Sequence, residues 1–593
     1  MLDYRGLINP LTGGRMYLDI TIPTPDLERK ITKKKINGTT YVYFETGRKY
    51  YKEKKYTSAD RVCIGKMVPE HDTLMIPNEK FRKYFPQLIL PKEKDTHRSS
   101  CLRIGAYLVI RKIIAEYKLD VMIEAIIGQD AGLFLDLAAY TIITENNAGQ
   151  YYPDYAYNHP LLTYNMRMYS DAKVSDFLKD TTVDQRTAFL NRWNLKRDHR
   201  EKIYISYDST NKSSQAGEID VVEYGHPKVD VGKDVFNYSI AYDRNNREPL
   251  FYESYPGSIV DISQLQYTLE KAKSYGYRHV GFILDRGYFS KGNIHYMDEN
   301  GYEFVLMVKG MKSLVSDLIL EVSGTFENNR KNSIRAFKVS GCTVKRRLYP
   351  SDEKERYFHI YYSDTRRLAE REALEGKIDR FAKKLNELMG LDVRPGKEFQ
   401  KYFDLIFYHP GMDDEKFMFG KERNDVIDRE IKLCGYFVIV TSEEMTAEEA
   451  LMLYKSRDVS EKLFRGDKSY LGSRSERVHS NESFDTKIFI EFVASIIRNK
   501  MYTCLKDEMV RNEKKQNFMT VPAAIRELEK IELIRGGDNE YCMDYAVTAN
   551  QKAILNAFGM TAKNVIEQAK EISSDLARIE LEEIEKEAAR QMA

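Results

Sequence analysis

One part of the chain, residues 202–308, alternates short apolar runs with segments of helical pattern, and this order restricts the fold more than any other feature. Short runs rich in apolar, β-branched and aromatic residues are typical of strands. The predicted elements are strands at 202–207, 218–224, 236–242 and 249–255, a helix at 262–275, a strand at 279–284, a helix at 290–299 and a strand at 304–308. Antiparallel strands followed by helix, strand, helix and strand predict a layered α/β fold.

Length and composition indicate several folded domains. A chain of 593 residues is too long for one hydrophobic core and suggests roughly three to five domains. Because 42% of the residues are hydrophobic and 31% are charged, we expect a globular chain rather than a disordered one. No run approaches about 20 apolar residues, and the N-terminal sequence MLDYRGLINP lacks the apolar core of a secretory signal. These features predict a cytoplasmic protein without a membrane span.

The metal-binding residue types are distributed in a way that excludes the common zinc sites. The six cysteines are far apart and form no C-x2-C pair, and the ten histidines show no paired spacing. Any metal must therefore be held by carboxylates, which favours Mg²⁺ or Mn²⁺. The net charge of only +2 gives no global argument for nucleic acid, so such an argument must be local.

Three acidic residues form the candidate site. Asp208 and Asp285 follow two predicted buried strands, and Glu461 lies on a later predicted helix. Aspartates at the ends of neighbouring strands can converge, and three carboxylates suit a site that holds two metal ions for phosphoryl transfer. A single aspartate in this position more often caps a turn. Other acids near strand ends rank lower because none combines a fully apolar strand with the right place in the fold order: Asp220, Asp243 and Asp261.

The helix around Glu461 carries a narrow polar stripe. Tyr454, Arg457, Glu461 and Lys468 follow the spacing Y-x2-R-x3-E-x6-K. At 100° per residue, the last three lie at about −60°, −20° and −40° from Tyr454. One carboxylate between two cations and a phenol suits a surface that meets a metal ion and a phosphate. The alternative is an ordinary salt bridge between Arg457 and Glu461, four residues apart on a solvated helix.

Three sequence blocks carry a resemblance to a known family. They are YISYDSTNKSS at 204–214, GFILDRGYFS at 281–290 and YKSRDVSEKLFRGDKSYLGSR at 454–474. Two further blocks agree, YESYPGSIVD at 252–261 and GYFVIVTSEEMTAEEALMLY at 435–454. Over about 202–503, the chain resembles the DDE transposases of bacterial insertion sequences, in the insertion-sequence-four group and its close relatives. The third block matches the Y-R-E-K signature of that family.

The resemblance implies a fold, a site and a reaction. It implies a ribonuclease-H-like core in which Asp208, Asp285 and Glu461 bind Mg²⁺ or Mn²⁺ and are catalytic. It implies that Tyr454, Arg457 and Lys468 contact DNA phosphates. The reaction would be cleavage at the inverted-repeat ends of a transposon and transfer of the 3′-hydroxyl into target DNA, by a homodimer on double-stranded DNA. The insertion after Asp285 has no tryptophan, so tyrosine or phenylalanine would have to hold a flipped base, and a hairpin route stays open.

The pattern along the chain predicts an α/β multidomain protein whose ribonuclease-H-like core is interrupted by a β-rich insertion. The N-terminal region is mixed and then helical, and the C-terminal tail is helical. The predicted divisions are a β-containing region at 1–98, a helical DNA-end-binding region at 99–200, the first part of the core at 201–310, the insertion at 311–433, the second part of the core at 434–510 and the tail at 511–593. A packing or dimerisation role for the first 200 residues is an equal alternative.

Two other functions fit the same sequence. One is a ribonuclease-H-like nuclease that cuts DNA without strand transfer. The other is a DNA-binding remnant of a mobile element that has lost catalysis. For an active transposase we expect a cytoplasmic protein that associates with the nucleoid when it binds DNA.

Overall fold

The structure is a computed structural model, and it describes most of the chain in segments. The described segments are residues 17–18, 20–27, 30–36, 38–51, 56–69, 71–88, 98–196, 202–214, 219–224, 234–259, 261–277, 279–309, 311–412, 414–458, 471, 475–478, 480–513, 519–536 and 540–592. In these segments no helix is both long enough and apolar enough to cross a membrane.

The N-terminal region forms a small sheet with its own core. Its elements are β1 (Ile22–Pro23), β2 (Ile31–Ile36), β3 (Thr39–Tyr51), β4 (Tyr56–Met67), β5 (Leu74–Pro77) and α1 (Glu79–Tyr84). The strands are antiparallel in the order β1-β5-β4-β3-β2. Val42, Ile64, Met75 and Phe81 are buried in a cluster separate from the main core. The predicted β-containing region therefore folds around residues of its own.

A helical region follows, and it is part of the main core. Its elements are β6 (Cys101–Arg103), α2 (Gly105–Tyr117), α3 (Leu119–Ile127), α4 (Ala131–Thr144), α5 (Tyr152–Asn158), α6 (Asp171–Asp180) and α7 (Val183–Leu195). Nearly every side of α4 is buried, as the apolar sequence predicts. Trp193 is buried and donates a hydrogen bond of 2.8 Å to the carbonyl of Pro249 in the main sheet. The division predicted at residue 200 thus does not separate two hydrophobic cores.

The main sheet begins with the strands predicted from residues 202–308. Its first elements are β7 (Ile203–Ser214), β8 (Glu223–Tyr224), β9 (Asp234–Asp243), β10 (Glu248–Pro256), α8 (Asp261–Ser274), β11 (Val280–Leu284), α9 (Lys291–Glu299) and β12 (Glu303–Met307). The order is β10-β9-β7-β11-β12, with β7, β11 and β12 parallel and β9 antiparallel to both neighbours. The strand predicted at 218–224 is reduced, within the described residues 219–224, to the two residues of β8.

The insertion extends this sheet instead of forming a separate β domain. It contains α10 (Lys312–Val322), β13 (Ser333–Ile334), β14 (Val339–Arg347), β15 (Glu355–Tyr362), α11 (Asp364–Glu387), β16 (Phe403–Tyr408), β17 (Lys416–Glu422) and α12 (Asn424–Leu433), and it leads into β18 (Tyr436–Thr441) and α13 (Ala447–Ser456). The sheet continues as β12-β18-β15-β14-β13 because β18 lies antiparallel between β12 and β15. The expected β-rich insertion is therefore a mixed one, in which α11 alone has 24 residues.

The C-terminal region is not wholly helical, contrary to the prediction. Its described elements are β19 (Ser475–Glu476), α14 (Asn481–Arg511), α15 (Val521–Leu528), β20 (Glu532–Arg535), β21 (Tyr541–Met543), α16 (Ala549–Ala557) and α17 (Ala562–Met592). Strand β20 pairs with β21 and with β6, which lies more than 400 residues earlier. A local sequence pattern does not reveal a partner at that distance, and this explains the error.

A buried cluster of charges joins β7 to the helices above it. The Lys212 ammonium lies 3.1 Å from Glu491 on α14, and Lys487 lies 3.4 Å from Glu476. Asn147 donates hydrogen bonds to both carboxylates. Burial and the neighbouring Glu491 raise the pKa of Glu476 to about 8. Because charges are costly to bury alone, each member depends on the others.

This cluster generates a stability prediction. Replacing Lys212→Met leaves Glu491 buried without its ammonium partner, so we expect the free energy of unfolding to fall by about 3 kcal/mol in chemical denaturation. The exposed Lys273→Met on α8 is the control and should change it by less than about 0.5 kcal/mol. The double variant Lys212→Met, Glu491→Leu should recover much of the loss. Equal stabilities of Lys212→Met and its control would contradict the role of the cluster.

Candidate active site

The register of β7 against β11 places Asp208 beside Asp285. The parallel pairing of these strands ends with Tyr207 opposite Leu284, and Asp208 and Asp285 are the residues that follow this last pair along the chain. Both carboxylates are half-buried. The predicted convergence of the two aspartates therefore follows from the pairing of two apolar strands.

One detail of the prediction is wrong, since Asp208 does not end its strand. β7 continues to Ser214 because β9 goes on pairing with it as far as Ser213 opposite Val235. β7 therefore loses its parallel partner β11 after Tyr207 but keeps its antiparallel partner β9 as far as Ser213. Asp208 lies at the point where the parallel partner stops.

The two aspartates share a face of the sheet with α13. Alternate residues of a strand point to the same face, so Tyr204 and Asp208 lie on one side, as do Ile283 and Asp285. Tyr204 and Ile283 belong to a cluster with Leu451 of α13. A Cβ on Gly281 would lie 2.5 Å from the Tyr204 ring, so the glycine leaves the space that this ring occupies. The carboxylates thus lie on the α13 face, one step beyond the packed residues.

Arg457 connects α13 to the candidate site. Its Nη1 atom lies 3.4 Å from Oδ1 of Asp285, and its guanidinium lies 5.5 Å from the centre of the Tyr454 ring. The Tyr454 side chain is packed in the cluster under α13 and is only 6% exposed. Within the described residues the structure therefore brings Asp208, Asp285, Arg457 and Tyr454 to one place. The burial of Tyr454 favours a role in positioning Arg457.

Two predicted site residues, Glu461 and Lys468, lie outside the described residues. Helix α13 ends at Ser456, and Arg457 follows it with helical backbone angles. The predicted stripe can therefore be followed from Tyr454 to Arg457 only. The salt bridge between Arg457 and Glu461 stays an alternative, whereas the ion pair with Asp285 is present.

The backbone holds one oxygen of each carboxylate. Oδ1 of Asp208 accepts a hydrogen bond of 2.9 Å from the amide of Ser209, and Oδ1 of Asp285 accepts one of 2.7 Å from Arg286. Asp285 also begins a 3₁₀ turn at Arg286–Tyr288, so it does act as the cap that a strand-end aspartate commonly is. These bonds fix the orientation of both groups.

Two adjacent carboxylates fit a hard divalent metal ion but do not complete its site. Mg²⁺ and Mn²⁺ prefer oxygen ligands, and neighbouring aspartates supply them. The described segments contain no group of three or more histidine, cysteine, aspartate or glutamate residues that could hold a metal. The sequence analysis predicts Glu461 as the third carboxylate, and this residue lies outside the described segments.

The competing acids have other surroundings. Asp243 is fully buried and accepts hydrogen bonds from the backbone amides of Asn245 and Asn246, which makes it the organiser of a turn. Asp220 is exposed and accepts a hydrogen bond from the side chain of Asn481. Asp261 begins α8.

The structure shows two arginines near the site that the sequence reasoning did not single out. A cavity of about 500 Å³ is lined by Tyr242, Arg244, Asn245, Arg247 and Ser456. Tyr242 is the register partner of Ser206, which lies two residues before Asp208. Arg247 makes a bidentate ion pair with Asp507 at 2.8 and 2.6 Å. In sequence Arg244 and Arg247 resemble ordinary turn residues. They lie beside Ser456 of α13 because the backbone turns after Asp243, whose carboxylate accepts hydrogen bonds from the amides of the turn.

Comparison with known proteins supports a transposase domain in this part of the chain. Residues 205–497 match the family described as transposase DDE domain, and this range contains all six predicted site residues. No curated protein matches the chain significantly. The match confirms the coarser expectation of a DDE transposase domain, while the insertion-sequence-four group and the Y-R-E-K signature stay predictions.

Solved transposase structures show a distant likeness only. A piggyBac transposase in a synaptic complex with hairpin DNA has 8% identity and a TM-score of 0.32, over 72% of this chain and 76% of that one. A Mos1 mariner paired-end complex with Mn has 13% identity and a TM-score of 0.12, over 23% of this chain and 50% of that one. Scores this low do not constrain the fold or the activity.

The geometry predicts that the two aspartates bind metal jointly. Asp208→Asn and Asp285→Asn each remove one anionic ligand, so we expect each to weaken Mn²⁺ binding at least tenfold, as measured by the paramagnetic resonance signal of free Mn²⁺. Asp220→Asn, at an exposed acid, is the matched control and should bind as the unaltered chain does. Unchanged Mn²⁺ binding in both site variants would exclude these carboxylates as ligands.

Proposed function

We propose that the chain is a metal-dependent DDE transposase that cleaves DNA at the inverted-repeat ends of its element and joins the freed 3′-hydroxyl to target DNA. The observation that carries the proposal is the side-by-side placement of Asp208 and Asp285, with Arg457 paired to Asp285, on the α13 face of the sheet. The family match over 205–497 supports the same reading. Both reactions are phosphoryl transfers, and one site of this kind can perform both.

The proposed catalytic residues are the three carboxylates. Asp208 and Asp285, together with Glu461, would hold Mg²⁺ or Mn²⁺. Bound ions of this kind activate the attacking oxygen and stabilise charge on the leaving oxygen. The chain's contribution is to fix the ligands, and the backbone hydrogen bonds to Asp208 and Asp285 support that role.

The strand order supports a ribonuclease-H-like core. Three antiparallel strands, β10, β9 and β7, are continued by the parallel strands β11 and β12. The central strand β7 carries the first aspartate and β11 the second. We infer that the core belongs to the insertion-sequence-four type predicted from its Y-R-E-K residues.

Cations beside the carboxylates would bind the DNA backbone. Arg457 and Lys468 are proposed to contact phosphates next to the scissile bond, with Tyr454 holding Arg457 in place. Arg244 and Arg247 line the neighbouring cavity and would extend the cationic surface. Guanidinium groups suit this task because they form paired hydrogen bonds with phosphate oxygens.

The proposed partners are double-stranded transposon ends, target DNA and a second copy of the chain on the DNA. The insertion offers exposed aromatic side chains, Tyr408 and Phe419, in the hairpin of β16 and β17. These are the candidates for holding a flipped base if second-strand cleavage proceeds through a hairpin. We propose a cytoplasmic protein that joins the nucleoid through its DNA.

A strand-transfer assay separates the proposed transposase from a nuclease. Uncut or pre-cut ends and a plasmid target are incubated with the protein and Mg²⁺, and both cleaved and joined products are measured. Removal of the third carboxylate by Glu461→Gln should reduce cleavage and joining by at least a thousandfold and leave end binding within about threefold. Glu444→Gln, at an acid that precedes α13, is the control. Cleavage that persists in Glu461→Gln would exclude Glu461 from the site, and cleavage without joining would favour the nuclease.

Arg457 generates a separate prediction. If it contacts one phosphate, Arg457→Ala should lower the slope of log affinity against log salt by about one and weaken DNA binding. Lys455→Ala removes an exposed cation from the same helix, and we expect it to leave the slope unchanged. Fluorescence anisotropy of a labelled DNA end across a salt series measures both variants. Equal slopes for Arg457→Ala and the unaltered protein would limit Arg457 to its ion pair with Asp285.

A further inference from the structure

The N-terminal sheet projects a two-stranded ribbon beyond its other strands. β3 and β4 remain paired as far as Tyr51 opposite Tyr56. β2 pairs with β3 no further than Phe44, and β5 pairs with β4 only from Gly65 onward. Among the described strands, residues 46–51 and 56–61 therefore pair only with each other. Six residues of extended chain give this ribbon a length of about 20 Å.

The exposed side chains of the ribbon are typical of a binding surface. Two antiparallel strands without a third strand or a packed face are at best marginally stable in water. Tyr50, Tyr51 and Tyr56 are 61%, 47% and 49% exposed. The rings of Tyr51 and Tyr56 stack on one another with centres 5.5 Å apart. Large aromatic side chains exposed together on so narrow a ribbon indicate a binding surface.

The charge of this region identifies the class of partner. Residues 17–88 contain fifteen lysines and arginines and nine aspartates and glutamates, whereas the whole chain has a net charge of only +2. On the ribbon, Arg48 pairs with Glu45 at 2.6 Å and Lys49 with Asp60 at 3.3 Å. These pairs are on the surface, where such contacts are weak and can be exchanged for phosphates. Arg61 is also exposed, and Lys34 and Lys35 lie at the base on β2.

Two helices of the region predicted to bind DNA ends, α2 and α4, are mostly buried and expose less surface for DNA than the ribbon does. In α2, residues Gly105–Ile110, Ile113 and Ile114 are buried, and α4 is buried along most of its length. Both helices belong to the core that also holds the catalytic sheet. Buried apolar helices of this kind support a scaffold, which was the alternative interpretation of that region.

Lysines on an edge strand have another common explanation. They prevent the edge from pairing with other chains, and this accounts for the run Lys33-Lys34-Lys35 on β2. In agreement, Lys33 donates a hydrogen bond to the carbonyl of Asp72 within the sheet. Edge protection does not account for the length of the ribbon or for its three exposed tyrosines.

We propose that the ribbon of residues 46–51 and 56–61 binds a groove of duplex DNA, with Arg48, Lys49 and Arg61 on the flanking phosphates. The major groove is about 12 Å wide and accepts a two-stranded β-ribbon. The choice of DNA as partner rests on the proposed function, but the ribbon and its core are separate from the carboxylate site. The ribbon therefore adds a second contact with the duplex at the transposon end.

The test uses the full chain and a labelled duplex taken from the DNA that flanks its gene. The triple variant Arg48→Ala, Lys49→Ala, Arg61→Ala should bind this duplex at least tenfold more weakly in anisotropy titrations. The slope of log affinity against log salt should fall by about three. The control removes three exposed lysines of the insertion, Lys383→Ala, Lys397→Ala and Lys432→Ala, and so makes the same change in charge. Circular dichroism melting verifies that both variants are folded.

A second variant tests the ribbon without changing its charge. Tyr50→Ser should weaken duplex binding several-fold and leave the salt slope unaltered. If the triple variant fails to fold, Tyr50→Ser and the single variant Arg48→Gln take its place, with an expected slope change of about one for Arg48→Gln.

The outcomes separate this inference from the proposed function. Ribbon variants that bind duplex DNA like the control, while the unaltered protein cuts and joins DNA, would overturn the ribbon inference alone. An unaltered protein that neither binds nor cuts DNA would overturn the proposed function. Loss of binding to single-stranded oligonucleotides only, or loss of a dimer in light scattering with duplex binding unchanged, would also overturn the duplex assignment.

Discussion

The parallel pairing of β7 with β11 is the interaction on which the rest of the candidate site depends. It sets Tyr207 opposite Leu284, and the register of five residue pairs then leaves Asp208 and Asp285 side by side. A slip of one residue would turn one aspartate to the opposite face of the sheet. Buried side chains on both faces of β11 resist that slip, so the hydrophobic core determines the position of the charged groups.

The charges around β7 are arranged in two ways along one strand. At Asp208 the carboxylate is half-exposed and its neighbour Asp285 is paired with Arg457, an arrangement that a metal ion or a phosphate can change. Four residues later, Lys212 is buried beside Glu491, in a cluster that also contains Glu476, Lys487 and Asn147. The buried cluster holds the strand against α14, while the half-exposed carboxylates of Asp208 and Asp285 remain accessible.

The sequence predicted the strands of the core and the pairing of its two aspartates, because short apolar runs and their order carry that information locally. It failed where a partner lies far away in the chain. The extension of β7 beyond Asp208 depends on β9, the strand β20 depends on β6, and the sheet formed by the insertion depends on β18. Arg244 and Arg247 were missed for the same reason, since a turn sequence does not reveal which helix faces it. The positions of Glu461 and Lys468 still rest on helical spacing and family resemblance.

The small sheet of β6, β20 and β21 has a consequence for how the chain is made. The main core contains residues from Leu102 to Leu576, so it cannot close until almost the whole chain has left the ribosome. The N-terminal sheet needs only residues up to Phe85 and can fold first. During the synthesis of several hundred residues, the N-terminal sheet can therefore be folded while the main core is still incomplete. Strand β6 cannot pair with β20 until the end of that period. The order of translation thus allows the N-terminal sheet with its ribbon to fold before Asp208 and Asp285 are brought side by side.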